Sequence, residues 1–156
     1  MRLKIALGAV IAAVLIIQLI PVNRTNPPVQ GEVVTPDSVH AILGRACYDC
    51  HSNETEWPWY AYVAPLSWRV ADHVTEGREH LNFSTWSQYA DEEQIEKLDE
   101  IWEEVEDGKM PLWDYLRMHS EARLSDQELA VLHQWTIDEQ TALEQAPVDS
   151  LQTEMH

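Results

Sequence analysis

Two cysteines in 156 residues, Cys47 and Cys50, stand in the string Cys47-Tyr48-Asp49-Cys50-His51. A pair three positions apart cannot build a long-range disulfide framework, so the whole cysteine question is one motif. On a helical turn, residues i, i+3 and i+4 share a face. Two sulfurs can then meet the two vinyl groups on one porphyrin edge while the imidazole of His51 reaches the iron. Cys-x-x-Cys-His is the attachment pattern of haem c. The expectation is one covalent haem, joined to Cys47 and Cys50 and ligated at its iron by His51. Tyr48 and Asp49 point elsewhere, so their identity is free.

Other readings of the pair fit less well. A thioredoxin-like redox motif needs a βαβ context and a reactive low-pKa cysteine. A zinc site through Cys47, Cys50, His51 and a distant histidine would place adjacent ligands awkwardly in a tetrahedron, and no second paired cluster exists.

Iron held by a histidine needs a second protein ligand or keeps an open position. Met110 is the leading candidate, because it follows Gly108 in the turn Gly108-Lys109-Met110-Pro111, where a soft thioether can project from non-helical backbone. The expected metal ligands are therefore His51 and Met110. Met118, on the stretch from Leu112 to His119, is expected to serve packing. His40, His73, His80, His119 and His133 are alternatives, with His80 foremost.

Along the chain, Ile5 to Ile20 form an uncharged apolar run preceded by Arg2 and Lys4 and ended by Pro21. Its length approaches that of a bilayer span. Positive charge before it directs the amino end to the cytoplasm, and no small-x-small cleavage site follows. Residues 1–22 are thus expected to be a signal-anchor, a transmembrane helix in the bacterial inner membrane. This gives a single-pass protein with its C-terminal domain in the periplasm. Residues 23–36, with Asn26-Pro27-Pro28 and Gly31, read as a Pro-rich linker. Residues 37–145 read as the folded domain and 146–156 as a polar C-terminal tail.

Within that domain the periodicity is helical and no window alternates as a half-buried strand does. The spacing predicts helices over 37–46, capped by Thr35 or Asp37, and from Pro65 towards His80. A third covers 91–107, with the stripe Ile95, Leu98, Ile101, Trp102 and Val105 ended by Gly108, and the last is opened by the capping box from Ser125 to Glu128. The fold class is all-α, a helical domain around one haem.

Charge narrows the partners. The net charge is −17, and two of the ten basic residues precede the apolar run, against 27 acids in all. Nucleic acid is not an expected partner. An acidic surface attracts basic proteins and speeds transient encounters, though a solvated face serving solubility has the same composition. The seven tryptophans suit either a core or a pocket for a planar group.

Several blocks then resemble one family, the small bacterial "haem-binding domain" cytochromes. They are Cys47 to Thr55 (Cys-Tyr-Asp-Cys-His-Ser-Asn-Glu-Thr), Trp57 to Tyr60 (Trp-Pro-Trp-Tyr), Val63 to Trp68 (Val-Ala-Pro-Leu-Ser-Trp), Gly77-Arg78, His80 to Ser84 (His-Leu-Asn-Phe-Ser), and Met110 to Tyr115 (Met-Pro-Leu-Trp-Asp-Tyr). The resemblance covers nearly all of the chain after the apolar run. It implies a cytochrome c-like helical fold and covalent haem at Cys47, Cys50 and His51, but no defined physiological reaction. The family commonly has Met-Pro-Pro where this chain has Met110-Pro111-Leu112. The expected activity is one-electron transfer at the periplasmic face of the membrane, with redox proteins as partners, rather than enzymatic turnover. The alternatives are a haem enzyme or gas or peroxide sensor with an open distal position, or a structural haem subunit of a larger membrane complex.

Overall fold

A computed structural model describes residues 2–145; the tail expected over 146–156 lies outside the described residues. The elements are α1 (Arg2–Ile17), α2 (Asp37–Ala46), α3 (Tyr48–His51), α4 (Leu66–His80), α5 (Asp91–Glu106), α6 (Trp113–Met118) and α7 (Asp126–Gln145). Short 3-10 turns occupy Trp59–Tyr62, Phe83–Gln88 and Ser120–Ala122, and no strand occurs among the described residues. The all-α expectation holds.

The expectation of a transmembrane helix does not. No helix among the described residues is long and apolar enough to cross a membrane. At ~1.5 Å per residue, the 16 residues of α1 reach about 24 Å, short of the ~30 Å of a hydrocarbon core. The apolar run outlasts the helix, which ends at Ile17, and the next residue, Gln18, bonds through its side chain. Its amide donates to Val14 O at 3.0 Å and Ala64 O at 3.2 Å, and its oxygen accepts from Ala64 N–H at 2.9 Å. The single-pass inner-membrane location, with the domain in the periplasm, is corrected accordingly.

The described residues divide into two compact units, residues 2–29 with 48–84, and residues 30–47 with 85–145. The first holds α1, α3 and α4. Its buried apolar groups are few (Tyr48, Ala61, Ala64, Val74 and Phe83), whereas Ser52, Asn53, Thr55, Ser67, Asn82 and Ser84 are also buried. The Tyr48 and Phe83 rings stack at 5.5 Å.

The second unit is a helix-stripe core. Leu98, Ile101 and Val105 of α5 recur at core spacing, as do Leu132 and Trp135 of α7 and Val39, Ile42, Leu43 and Ala46 of α2, and all are buried. The end of α5 follows the sequence closely. Gly108 takes φ +67°, its N–H donates to Val105 O, and Lys109 N–H reaches Glu104 O, which together form a Schellman cap. At α7 the capping box is present: Glu128 accepts from Ser125 N–H at 2.9 Å, and Ser125 Oγ accepts from Glu128 N–H at 3.4 Å. The cap expected on α2 is absent. Pro36 takes that position without a side-chain bond, and the buried Thr35 Oγ1 has no hydrogen-bond partner. Of the seven tryptophans, Trp86 and Trp135 are buried while Trp59, Trp68 and Trp113 are exposed.

Candidate functional site

The motif begins where α2 ends. Cys47 donates its N–H to Leu43 O at 2.8 Å, and its φ of −126° breaks the helix. A separate single turn, α3, then carries Cys50 and His51. The one continuous helical face inferred from spacing is therefore interrupted after Cys47, which closes the second unit while Cys50 and His51 belong to the first. The two sulfurs are thiols, not a disulfide, and both residues are half-buried.

His51 is oriented by the C-terminal end of α4. Its Nδ1 lies 3.0 Å from Gly77 O and 3.1 Å from Leu81 O. Carbonyls only accept, so Nδ1 carries the proton and Nε2 keeps its lone pair. Burial pushes the imidazole pKa below 6.5, outweighing the two carbonyls that pull it up, and the charge of His80 lowers it further. The ring is thus a neutral base with one nitrogen pinned and the other able to bind a metal, the usual state of a ligating histidine. Negative carbonyl ends of a helix also favour an N–H donor at this point.

Glycine at 77 permits the arrangement. A Cβ there would stand 2.6 Å from Cys50 O and 3.0 Å from its carbonyl carbon, so the backbone of α3 rests directly on α4.

The chain after His51 is tied down by polar groups. Ser52 Oγ donates to Tyr48 O at 2.8 Å, and Thr55 Oγ1 donates to Asp49 O at 2.8 Å. Asn53 N–H donates to Ser84 Oγ at 2.9 Å, and its amide donates to Pro28 O at 3.0 Å. Asn82 donates to Asn53 Oδ1 at 2.9 Å and accepts from Ser84 N–H at 3.0 Å. Arg78 joins Ser52, Thr55, Thr25 and Asn26. Residues of the Tyr48–Thr55, Leu81–Ser84 and Asn26–Pro28 segments are thus one hydrogen-bonded assembly around the turn that bears His51. Spacing gives Asn53, Arg78, Asn82 and Ser84 no role; the signal for them is their presence in the blocks that carry the family resemblance.

Met110 lies in the second unit, half-buried just beyond the cap of α5, with its N–H donating to Glu104 O at 2.9 Å. Met118 is exposed rather than packed. His133 stacks on Trp102 at 3.9 Å, and His119 stacks on Tyr115 at 4.3 Å while facing Glu121. His40 and His80 are exposed.

Two thiols and an oriented neutral imidazole stand within five residues of sequence, the donor types that a Cys-x-x-Cys-His haem motif calls for. The family described as "Haem-binding domain" matches residues 12–138. The chain belongs to that family and is a haem-binding protein. No curated protein and no solved structure matches it.

Proposed function

We propose that the chain is a c-type cytochrome carrying one haem and transferring single electrons. The observation that supports this most is the saturation of His51 Nδ1 by Gly77 O and Leu81 O, which frees Nε2 for iron one residue after a cysteine. In this reading Cys47 and Cys50 would hold haem c through thioether bonds, and His51 and Met110 would be the ligands to its iron. The haem supplies a one-electron ferrous–ferric couple. The protein's residues fix the imidazole, keep it neutral and limit access of water to the turn. A redox partner with a basic surface suits the net charge of −17, and association that weakens as salt rises would support it.

Acid-acetone extraction tests attachment: haem stays with the chain if thioethers hold it, and leaves if they do not. Met110→Ala tests the sixth ligand. The ferric protein should show a weak far-red charge-transfer band from sulfur to iron, and the variant should lose it while gaining rapid carbon monoxide binding in the ferrous state. Rapid binding by the unaltered protein would overturn the electron-carrier reading in favour of an open site.

A further inference from the structure

Arg78 stands beside Gly77, whose carbonyl holds His51. Its Nε donates to Ser52 O, the carbonyl next after His51, at 2.7 Å. Nη1 donates to Thr25 O at 2.9 Å, and Nη2 to Asn26 Oδ1 at 2.9 Å and Thr55 Oγ1 at 2.8 Å. Every acceptor is a neutral oxygen. In a chain with 27 acids and 10 Lys and Arg, this guanidinium is bound by carbonyl, amide and hydroxyl groups instead of a carboxylate. Such partners orient a cation without cancelling its charge. Burial lowers its pKa, and the group that counteracts this is the Cys50 sulfur. A guanidinium stays protonated throughout the working range of proteins.

We propose that Arg78 is a positioning residue that fastens Thr25 and Asn26 to the chain following His51, and that its uncancelled charge raises the reduction potential of haem held at Cys50 and His51. This rests on reading the motif as the haem site. Reduction removes one positive charge from the iron centre, so a fixed cation nearby favours the ferrous form. Hydrogen bonding and burial at the proximal side act on the same couple, and a charge-preserving variant separates these contributions from the charge.

The experiment is a spectroelectrochemical titration of the full haem-loaded chain as Arg78→Gln and Arg78→Lys, at low and high salt. Arg78→Gln should shift the ferrous-to-ferric ratio at a fixed applied potential about threefold to tenfold towards ferric, tenfold being about 59 mV for one electron. Arg78→Lys keeps the charge but not the fork, so it should shift the ratio less than twofold while losing as much thermal stability as Arg78→Gln. The Gln shift should shrink at high salt, because the guanidinium is partly exposed. Equal shifts in the two variants, or none, would overturn the proposal. If Arg78→Gln does not fold, Thr55→Asp sets a compensating carboxylate against Nη2 with the arginine intact. A shift towards ferric supports the proposal there, and an unchanged potential refutes it. Acid-acetone extraction on the same samples keeps the two claims apart: release of haem from the unaltered protein overturns the attachment reading, whereas retained haem with an unmoved potential overturns the role of Arg78 alone.

Discussion

The two compact units solve the problem of a small core differently. In residues 30–47 with 85–145, helices α2, α5 and α7 bury aliphatic stripes, and Thr136 is the buried polar residue among the described ones. In residues 2–29 with 48–84, buried polar residues outnumber buried apolar ones, and Ser52, Asn53, Asn82 and Ser84 bond one another and the backbone. Apolar burial is non-directional and tolerates exchange of shape, whereas a buried polar network fixes one geometry because any unmade bond costs a desolvated group. A turn that must hold an imidazole at one orientation gains from the second strategy. The unit that carries His51 uses it.

The largest test falls on the aliphatic side. Leu98 is fully buried on α5, so Leu98→Ala should lose about 2–5 kcal/mol in urea denaturation through lost transfer energy and the cavity left behind. Leu98→Met should lose less than about 1.5 kcal/mol. If the near-isosteric exchange cost as much as truncation, shape rather than burial would govern this unit too, and the contrast would fail.

Asn82→Leu is the matching test in the polar unit. It keeps the volume but leaves Ser84 N–H without its acceptor at 3.0 Å and Asn53 Oδ1 without its donor at 2.9 Å. A loss of about 1–3 kcal/mol is expected, the desolvation cost of an unsatisfied buried group. A neutral or stabilising result would show that the network does not anchor the turn.

The same difference explains which features are legible in the sequence alone. The expected helix over 37–46 is α2 to the residue, and α5 ends one residue before the expected 107, because aliphatic period and a cap glycine are local signals. The Cys-x-x-Cys-His string gave its residues without their setting. The break at Cys47 and the carbonyls of Gly77 and Leu81 were not legible, since they depend on a loop meeting a helix 26 to 30 residues away. Asn53 and Asn82 have no periodicity to betray them, and polar residues in loops ordinarily read as solvated. The apolar run misleads on α1 because hydropathy records composition and not helix length, and the helix ends at Ile17, three residues before the run does.

The smallest expected effect sharpens the contrast at the surface of the aliphatic unit, where its polar anchoring is concentrated. Glu128 accepts from the backbone and hydroxyl of Ser125 and pairs with Arg45, and these contacts lower its pKa from 4.5 to about 2, the Ser125 backbone bond contributing most. A carboxylate whose folded pKa is depressed binds fewer protons than in the unfolded chain. Its contribution is therefore complete above pH 4.5 and disappears as pH falls towards about 2. Glu128→Gln removes that term, so the stability gap between the two proteins should be steady from pH 7 to pH 5 and narrow progressively below. The gap itself should be small, because an exposed pair is screened by solvent. Urea titrations at three or four pH values would read it. A gap that persisted unchanged at pH 3 would mean that shape at the helix start, rather than the carboxylate charge, holds α7, and the aliphatic unit would then lack even this electrostatic dependence.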